Sequence, residues 1–368
     1  YRSGDGGLMG GQVDSDYAIH GIHHITLVAR SAERTARFYL NVLGLHFVKK
    51  TVNFDHPDTY HLYFGDRTGS PGTLVTFFEW PDASPARIGI GSAHHFALTV
   101  DSFDALLKWK TWLQHAHCLV AGPYDHHAYQ SIAFTDPDGV MVEIATRGPG
   151  WERASIGDEP LIPSGQHDLS RETWPEPVRN IAPDMALGAL HHISAITSDM
   201  ERTNAFYDEL LGLHCLLKTV EPGGTRAPRW YWSVGPSGEP GRPGAVITYA
   251  AHGDVDPPIR GQVGRGATHH FALQVADDDA LTYWRERLRQ TGLGVTSVLD
   301  RNYFHSIYFT DPDGLIMEMA TIPPGFLIDQ SVDRLGSDLA LPPWLEADRA
   351  RIETALPPMQ VVREPHLT

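Results

Sequence analysis

The sequence predicts an α+β fold of four βαβββ modules in two tandem halves, their curved mixed sheets forming cups. Three observations lead there. First, the run "HHITLVARSAERTARFYLNVLGLHFVKKTV" from His23 returns as "HHISAITSDMERTNAFYDELLGLHCLLKTV" from His191, 168 residues on and without a gap. Second, "HHFALTV" from His94 and "FTDPDGVMVEIAT" from Phe134 return 175 residues on, at His269 and Phe309. The seven-residue difference fits an insertion in the Gly/Pro-rich stretch Gly235 to Gly244, and self-similarity at a fixed period marks a repeated architecture. Third, Gly21 to Val28 and Ala93 to Val100 are both apolar runs that open on a His-His pair and lead into a helical pattern, so each half divides again.

The elements follow in order. Tyr1 to Asp16 is Gly-rich and polar and is read as a flexible leader. His24, Thr26 and Val28 alternate with Ile25 and Leu27, as in a strand. Ser31 to Leu43 carries Ala32, Thr35, Ala36, Phe38, Tyr39 and Val42 at helical spacing, and Gly44 stands where a helix-ending glycine belongs. Tyr60 to Phe64 and Thr73 to Phe78 are expected strands, split by the turn-rich Asp66 to Gly72. Asp136-Pro137-Asp138-Gly139 turns the chain between strands Ser131–Phe134 and Val140–Ala145, and Asp311 to Gly314 does the same in the second half. Gly148 to Leu187 is rich in Pro, Gly and charge, as a linker is, and Trp344 to Ala355 suggests a short helix packed on the body. The expected plan is a leader (1–19), a two-module N-terminal domain (20–150), a linker (151–187), a two-module C-terminal domain (188–325) and a tail (326–368).

Composition narrows the function. A formal net charge of −16 with no basic run argues against nucleic acid and against an anionic membrane surface. Cys118 and Cys215 make no disulfide framework, which fits a reducing cytoplasm. No apolar stretch reaches membrane-spanning length. The Gly-rich Gly6 to Gly11 follows no strand, and Gly261 to Gly266 leads into a strand rather than a helix. Neither is a dinucleotide fingerprint.

The unusual count is 21 His, many in doublets: His23-His24, His94-His95, His126-His127, His191-His192 and His269-His270. Imidazole is the commonest metal ligand. Three positions recur in each half: a His on the first strand, a His on the strand opening the second module, and a Glu on the last strand. These are His24, His95 and Glu143, then His192, His270 and Glu318. Two His and one carboxylate on one face of a metal leave open positions for substrate and O2.

These residues resemble the vicinal-oxygen-chelate superfamily, which includes glyoxalase I and the extradiol dioxygenases. The likeness is greatest to hydroquinone and chlorohydroquinone 1,2-dioxygenases. It rests on "IHHIT" at Ile22–Thr26, "YHLYFGD" at Tyr60–Asp66, "GSPGT" at Gly69–Thr73 and "RNYFHSIYFTDPDGLIME" at Arg301–Glu318, and it spans Gly21 to about Gly325. The resemblance implies cups that bind metal and a ligand set shared between halves: His24, His270 and Glu318. Catechol-type relatives imply instead His192, His270 and Glu318. In the shared scheme His192, His95 and Glu143 form a second, pseudo-symmetric set. Its completeness departs from the hydroquinone-cleaving relatives and leaves a second metal site open.

The same resemblance places Tyr308 and Arg301 beside the substrate; the matching positions of the first half are Ala133 and His126. A phenol there can hydrogen-bond a phenolate, and a guanidinium can stabilise developing negative charge. His23 and His269 are expected to orient the ligands or substrate, Thr26 to line the cup, and His305 to reach the pocket. The expected activity is Fe(II)-dependent ring cleavage of a small aromatic diol by O2, in a chain that can form homo-oligomers. Mn(II) accepts the same ligands. The competing classes are a glyoxalase-like lyase or isomerase on Zn, Ni or Mn, which more typically has a second carboxylate ligand, and a non-catalytic binding protein, which needs no redox metal.

Overall fold

A computed structural model describes residues 13–126, 128–147, 169–220, 227–235, 246–253 and 257–361. The first module is β1 (Gly21–Ala29), α1 (Ala32–Arg37), β2 (His46–Asn53), β3 (His56–Gly65) and β4 (Leu74–Glu79). The second is β5 (Ala93–Val100), α2 (Phe103–His115), β6 (Ala121–Asp125), β7 (Gln130–Thr135) and β8 (Met141–Thr146). The third is β9 (Leu190–Thr197), α3 (Met200–Asn204), β10 (Cys215–Val220), β11 (Pro228–Ser233) and β12 (Val246–Ala251). The fourth is β13 (Thr268–Val275), α4 (Asp278–Gln290), β14 (Leu299–Asp300), β15 (Phe304–Thr310) and β16 (Ile316–Pro324). The four-module α+β expectation and the tandem halves match this architecture.

Each sheet draws on both halves. One runs β14-β15-β16-β13-β1-β4-β3-β2, joining the fourth module to the first; the other runs β10-β11-β12-β9-β5-β8-β7-β6, joining the third to the second. The central seams, β1 with β13 and β5 with β9, are antiparallel, and each is flanked by parallel pairs. Strand alternation sorts the residues. Ile25, Leu27, Phe96, Leu98, Ile193, Phe271 and Leu273 face a shared core with the helices, where Trp109, Trp284, Tyr39 and Tyr207 are fully buried. His24 and Thr26 face the opposite, concave side.

The first helix is capped as its sequence implies: the Ser31 side chain accepts from the Arg34 N–H, and Gly44 follows in the left-handed region at φ 70°. Its second half, Phe38–Val42, opens into a π turn rather than staying α-helical, and Ala205–Leu210 repeats this in the third module. π turns of this kind interrupt α-helices locally.

The segments outside the modules are tied down where they are described. Residues 1–12, which include Gly6 to Gly11 and most of the expected flexible leader, lie outside the described residues. From Val13 on the chain is anchored: the Tyr17 ring stacks on Tyr283 at 4.6 Å, and its carbonyl accepts from the Trp284 indole at 2.7 Å. Of the expected linker, 151–168 falls outside the described residues. Its remainder packs on α2, with the Met185 carbonyl accepting from Trp109 at 2.7 Å. Both anchors satisfy a buried indole N–H. The expected tail helix is a 3-10 turn, Pro343–Asp348, running into α5 (Arg349–Ala355). The insertion region lies almost wholly within 236–245, also outside the described residues, as does His127. Among the described residues no helix is long and apolar enough to cross a membrane.

Candidate metal centre

The four His-His doublets on the central strands have one structural cause. Where β1 meets β13, Ile22 faces Leu273 and His24 faces Ala272, so His23 is skipped; Thr26 faces His270 and Leu27 faces Thr268, so His269 is skipped. The seam between β5 and β9 skips His94 and His191 in the same way. Each doublet straddles a β-bulge, which re-aims a side chain. The first His therefore lies beside the second instead of pointing to the opposite face. His23 Nδ1 is 2.9 Å from His24 Nδ1, and His269 Nδ1 is 2.8 Å from His270 Nδ1.

The neighbouring strands β16, β13 and β1 bring Glu318, His270 and His24 together. Glu318 Oε2 lies 3.1 Å from His24 Nε2 and 3.0 Å from His270 Nε2, and all three residues are buried. His192 sits in the other sheet, so the catechol-type combination His192, His270 and Glu318 does not assemble.

Burial governs the electrostatics of this cluster. His23 is buried, and burial with neighbouring His24 lowers its pKa to about 3, so it is neutral. Its ring also bonds the Thr321 backbone. His24 Nε2 and His270 Nε2 both face a Glu318 carboxylate oxygen. Burial pushes the Glu318 carboxyl up, but His24 and His270 outweigh it and hold the group well below the usual range. Neither Glu318 oxygen has a well-aligned donor among the described residues. Ligand atoms in cis positions around an octahedral ion bound at about 2.1 Å are roughly 3.0 Å apart, which matches these separations. The donor set fits a divalent transition metal.

A small pocket of about 30 Å³, room for about one water, lies beside the cluster. Arg301 and Tyr308 reach it: the guanidinium lies 5.2 Å from the Tyr308 ring, and that ring stands edge-on to His270 at 5.5 Å. Arg301 also pairs with Asp55 at 3.1 Å across the pocket mouth. Burial opposes its charge, but Tyr308, Asp55 and Glu318 outweigh this and keep it cationic. Burial and Glu318 push the Tyr308 phenol far up, so it keeps its proton.

Two expectations need adjusting. His305 does not reach the pocket: its Nδ1 bonds Asp278 of α4 at 2.7 Å. The reason is parity on β15. Phe304 and Tyr308 line the pocket, whereas Ile307 and Phe309, which share the face of His305, join the helix-side core. Thr26 is fully buried beneath the cup and acts through others, its Oγ1 bonding Thr76 Oγ1 at 2.8 Å. Thr76 bonds His61 Nε2 at 3.0 Å, and His61 Nδ1 bonds the Tyr63 hydroxyl at 3.0 Å.

His61 and Tyr63 line the pocket with Phe78, Phe304 and the β2–β3 turn at Asn53 to Asp55. Sequence reasoning did not single these out. Alternation in Tyr60-His61-Leu62-Tyr63 carried the signal, since it puts His61 and Tyr63 on one face. Burial, followed by the charges of His24, His270 and Arg301, holds His61 well below its usual pKa, so it is a neutral imidazole.

Comparison with known proteins bears on this geometry. The family model of the Glyoxalase/Bleomycin resistance protein/Dioxygenase superfamily matches residues 21–144 and 189–319. Over 93% of its length the chain is 32% identical to the Bacillus subtilis protein named "Putative ring-cleaving dioxygenase MhqO", covering 97% of it. It is 28% identical, over 89% of its length and 93% of the relative, to a Sphingobium indicum protein named "Chlorohydroquinone/hydroquinone 1,2-dioxygenase". A crystal structure titled as a putative dioxygenase from Bacillus subtilis matches with a TM-score of 0.74 at 32% identity, covering 94% of this chain and 99% of that one.

Proposed function

Since the chain belongs to the Glyoxalase/Bleomycin resistance protein/Dioxygenase superfamily, we propose that it is an Fe(II)-dependent dioxygenase that opens the ring of a small hydroquinone-type diol with O2. One observation carries the reading: His24, His270 and Glu318 converge, with neither Glu318 oxygen given a well-aligned donor among the described residues, beside a pocket that also holds Arg301 and Tyr308.

A ferrous ion on these three ligands would supply the redox-active centre that lets O2 react with an electron-rich ring. The protein's own groups do the rest. Phe78 and Phe304 offer aromatic walls to a flat substrate and help exclude water. The Arg301 guanidinium favours a substrate hydroxyl in its anionic form and offsets charge that develops on oxygen. His61, neutral and bonded at both ring nitrogens, fixes the Tyr63 hydroxyl and Thr76 at the pocket wall. Tyr308 keeps its proton and can donate it to an oxygen as the ring opens.

The test is O2 uptake by anaerobically purified, Fe(II)-loaded protein given hydroquinone, methylhydroquinone, chlorohydroquinone and catechol in turn. Stoichiometric uptake with loss of ring absorbance is expected with a hydroquinone, and His270→Ala should abolish it. Bound iron without uptake on any diol would reject the substrate class, and absence of iron binding would reject the reading altogether.

A further inference from the structure

We propose that His95, His192 and Glu143 form a second divalent-metal site, structural in kind, that pins the second module to the third. The inference stands on the other sheet and does not need the ring-cleavage reading.

The three residues lie on the neighbouring strands β8, β5 and β9, the pseudo-symmetric counterpart of the first cluster. His95 Nε2 is 3.0 Å from His192 Nε2 and 3.5 Å from Glu143 Oε1, and His192 Nε2 is 3.9 Å from Glu143 Oε2. The His95–His192 edge matches, and the two edges to Glu143 are somewhat longer than, the roughly 3.0–3.4 Å expected between neighbouring ligand atoms around an ion bound at about 2.1 Å. All three residues are buried, and each His is backed by the skipped member of its doublet: His94 at 2.8 Å and His191 at 2.8 Å, Nδ1 to Nδ1.

The two imidazole Nε2 atoms face each other at 3.0 Å with the Glu143 carboxylate beside them, so one cation can be held among the three residues in place of a proton shared between the rings. Two imidazoles and one carboxylate select a transition ion over calcium or magnesium, with water completing the shell.

The surroundings differ from those of the first site in the groups that would do chemistry. Ala133 stands where Tyr308 stands, and Tyr129 takes the place of Phe304 with its ring 5.4 Å from His192. His126 replaces Arg301 and is turned aside, bonding Ser131 Oγ at 3.0 Å and stacking on Tyr129 at 4.5 Å. Arg229 replaces His61 and donates to Ser194 Oγ at 2.8 Å. The ligand set is complete and drawn from strands of two modules, so a bound ion would cross-link β5 and β8 to β9, as a structural site does.

The test loads the metal-free full chain anaerobically with Fe(II) alone, desalts it and counts iron by elemental analysis, with thermal unfolding alongside. We expect about two ions per chain in the wild type and about one in each of His192→Ala, Glu143→Gln and His24→Ala, with none in His24→Ala/His192→Ala. In His24→Ala, Fe(II) should still raise Tm, and in the double variant it should not. Glu143→Gln keeps the side-chain shape and covers the case in which His192→Ala does not fold. The proposal is overturned if the wild type binds a single ion that Glu143→Gln retains and His24→Ala loses, or if Glu143→Gln keeps both ions. A single wild-type ion lost in Glu143→Gln but kept in His24→Ala would support this site and sink the first.

Discussion

Tyr308→Phe removes one oxygen and leaves everything else about the ring in place. The phenyl still stands edge-on to His270 at 5.5 Å and beneath Arg301 at 5.2 Å, so packing and ligand geometry should survive. What is lost is a proton that burial and Glu318 keep on the phenol. A positioned general acid is worth about 10²–10⁴ in rate. Arg301 lies beside it and still offsets part of the developing charge, so the lower end applies: kcat should fall ~100-fold, a barrier increase of about 2.7 kcal/mol. The assay is O2 uptake under saturating hydroquinone, with iron content measured on the same sample. Iron should be unchanged and KM should stay within ~3-fold, because the lost interaction acts in the transition state. A fall in kcat smaller than ~5-fold would refute the acid role and leave Tyr308 as a packing aromatic. A fall that tracks lost iron would mean that it acts through the ligands.

Three further predictions follow from other parts of the molecule. Arg301→Met should lower kcat/KM ~10–100-fold through loss of a charge-assisted contact, and Arg301→Lys should recover only part of it, because an ammonium cannot reproduce the planar fork; steady-state kinetics on the hydroquinone decide. Asp136, buried in the first Asp-Pro-Asp-Gly turn, has its pKa raised from 3.8 to about 6, chiefly by burial. Its contribution to stability is complete below pH 3.8 and is lost as pH rises through about 6. Asp136→Asn keeps an oxygen for the N–H groups of Asp138 and Val140, so denaturant titrations should find it up to ~3 kcal/mol more stable at pH 7.5, with the gain gone near pH 3. Lys49 is buried on β2, where its ammonium bonds Asp329 at 2.6 Å, Gln330 at 2.8 Å and the Phe326 carbonyl at 3.2 Å. Lys49→Met should cost ~2–3 kcal/mol, below the range for a fully buried pair because Asp329 is partly exposed, and should speed proteolysis after Gly325; unchanged cleavage would show that the tail is held elsewhere.

Much of the site was legible in the sequence. The repeat exposed His24, His95, His192, His270, Glu143 and Glu318 because duplication copies side chains along with strands. Strand alternation put His24 and Thr26 on one face, and a turn signal as strong as Asp-Pro-Asp-Gly located β15 and β16. The errors came where a single residue of register matters. His305 is three residues from Tyr308 on the same strand, and that odd spacing sends it to α4. The doublets were seen, but not the bulges that turn both of their members toward one place. His61 and Tyr63 were quoted as part of a motif without being assigned to the pocket, because their role depends on a cross-strand neighbour, Thr76, from β4.

What the sequence alone determined is the module: its order of elements, the strands that carry the recurring His and Glu, and the two sets of residue types able to hold a metal. What only the tertiary structure decided is which modules meet. β1 pairs with β13 and β5 with β9, so His24 joins His270 and Glu318, while His192 joins His95 and Glu143. The physical reason is that the repeated first strands present nearly the same local pattern, so nothing local distinguishes one partner from another. The choice is made by closing long stretches of chain into shared sheets, and those contacts are non-local.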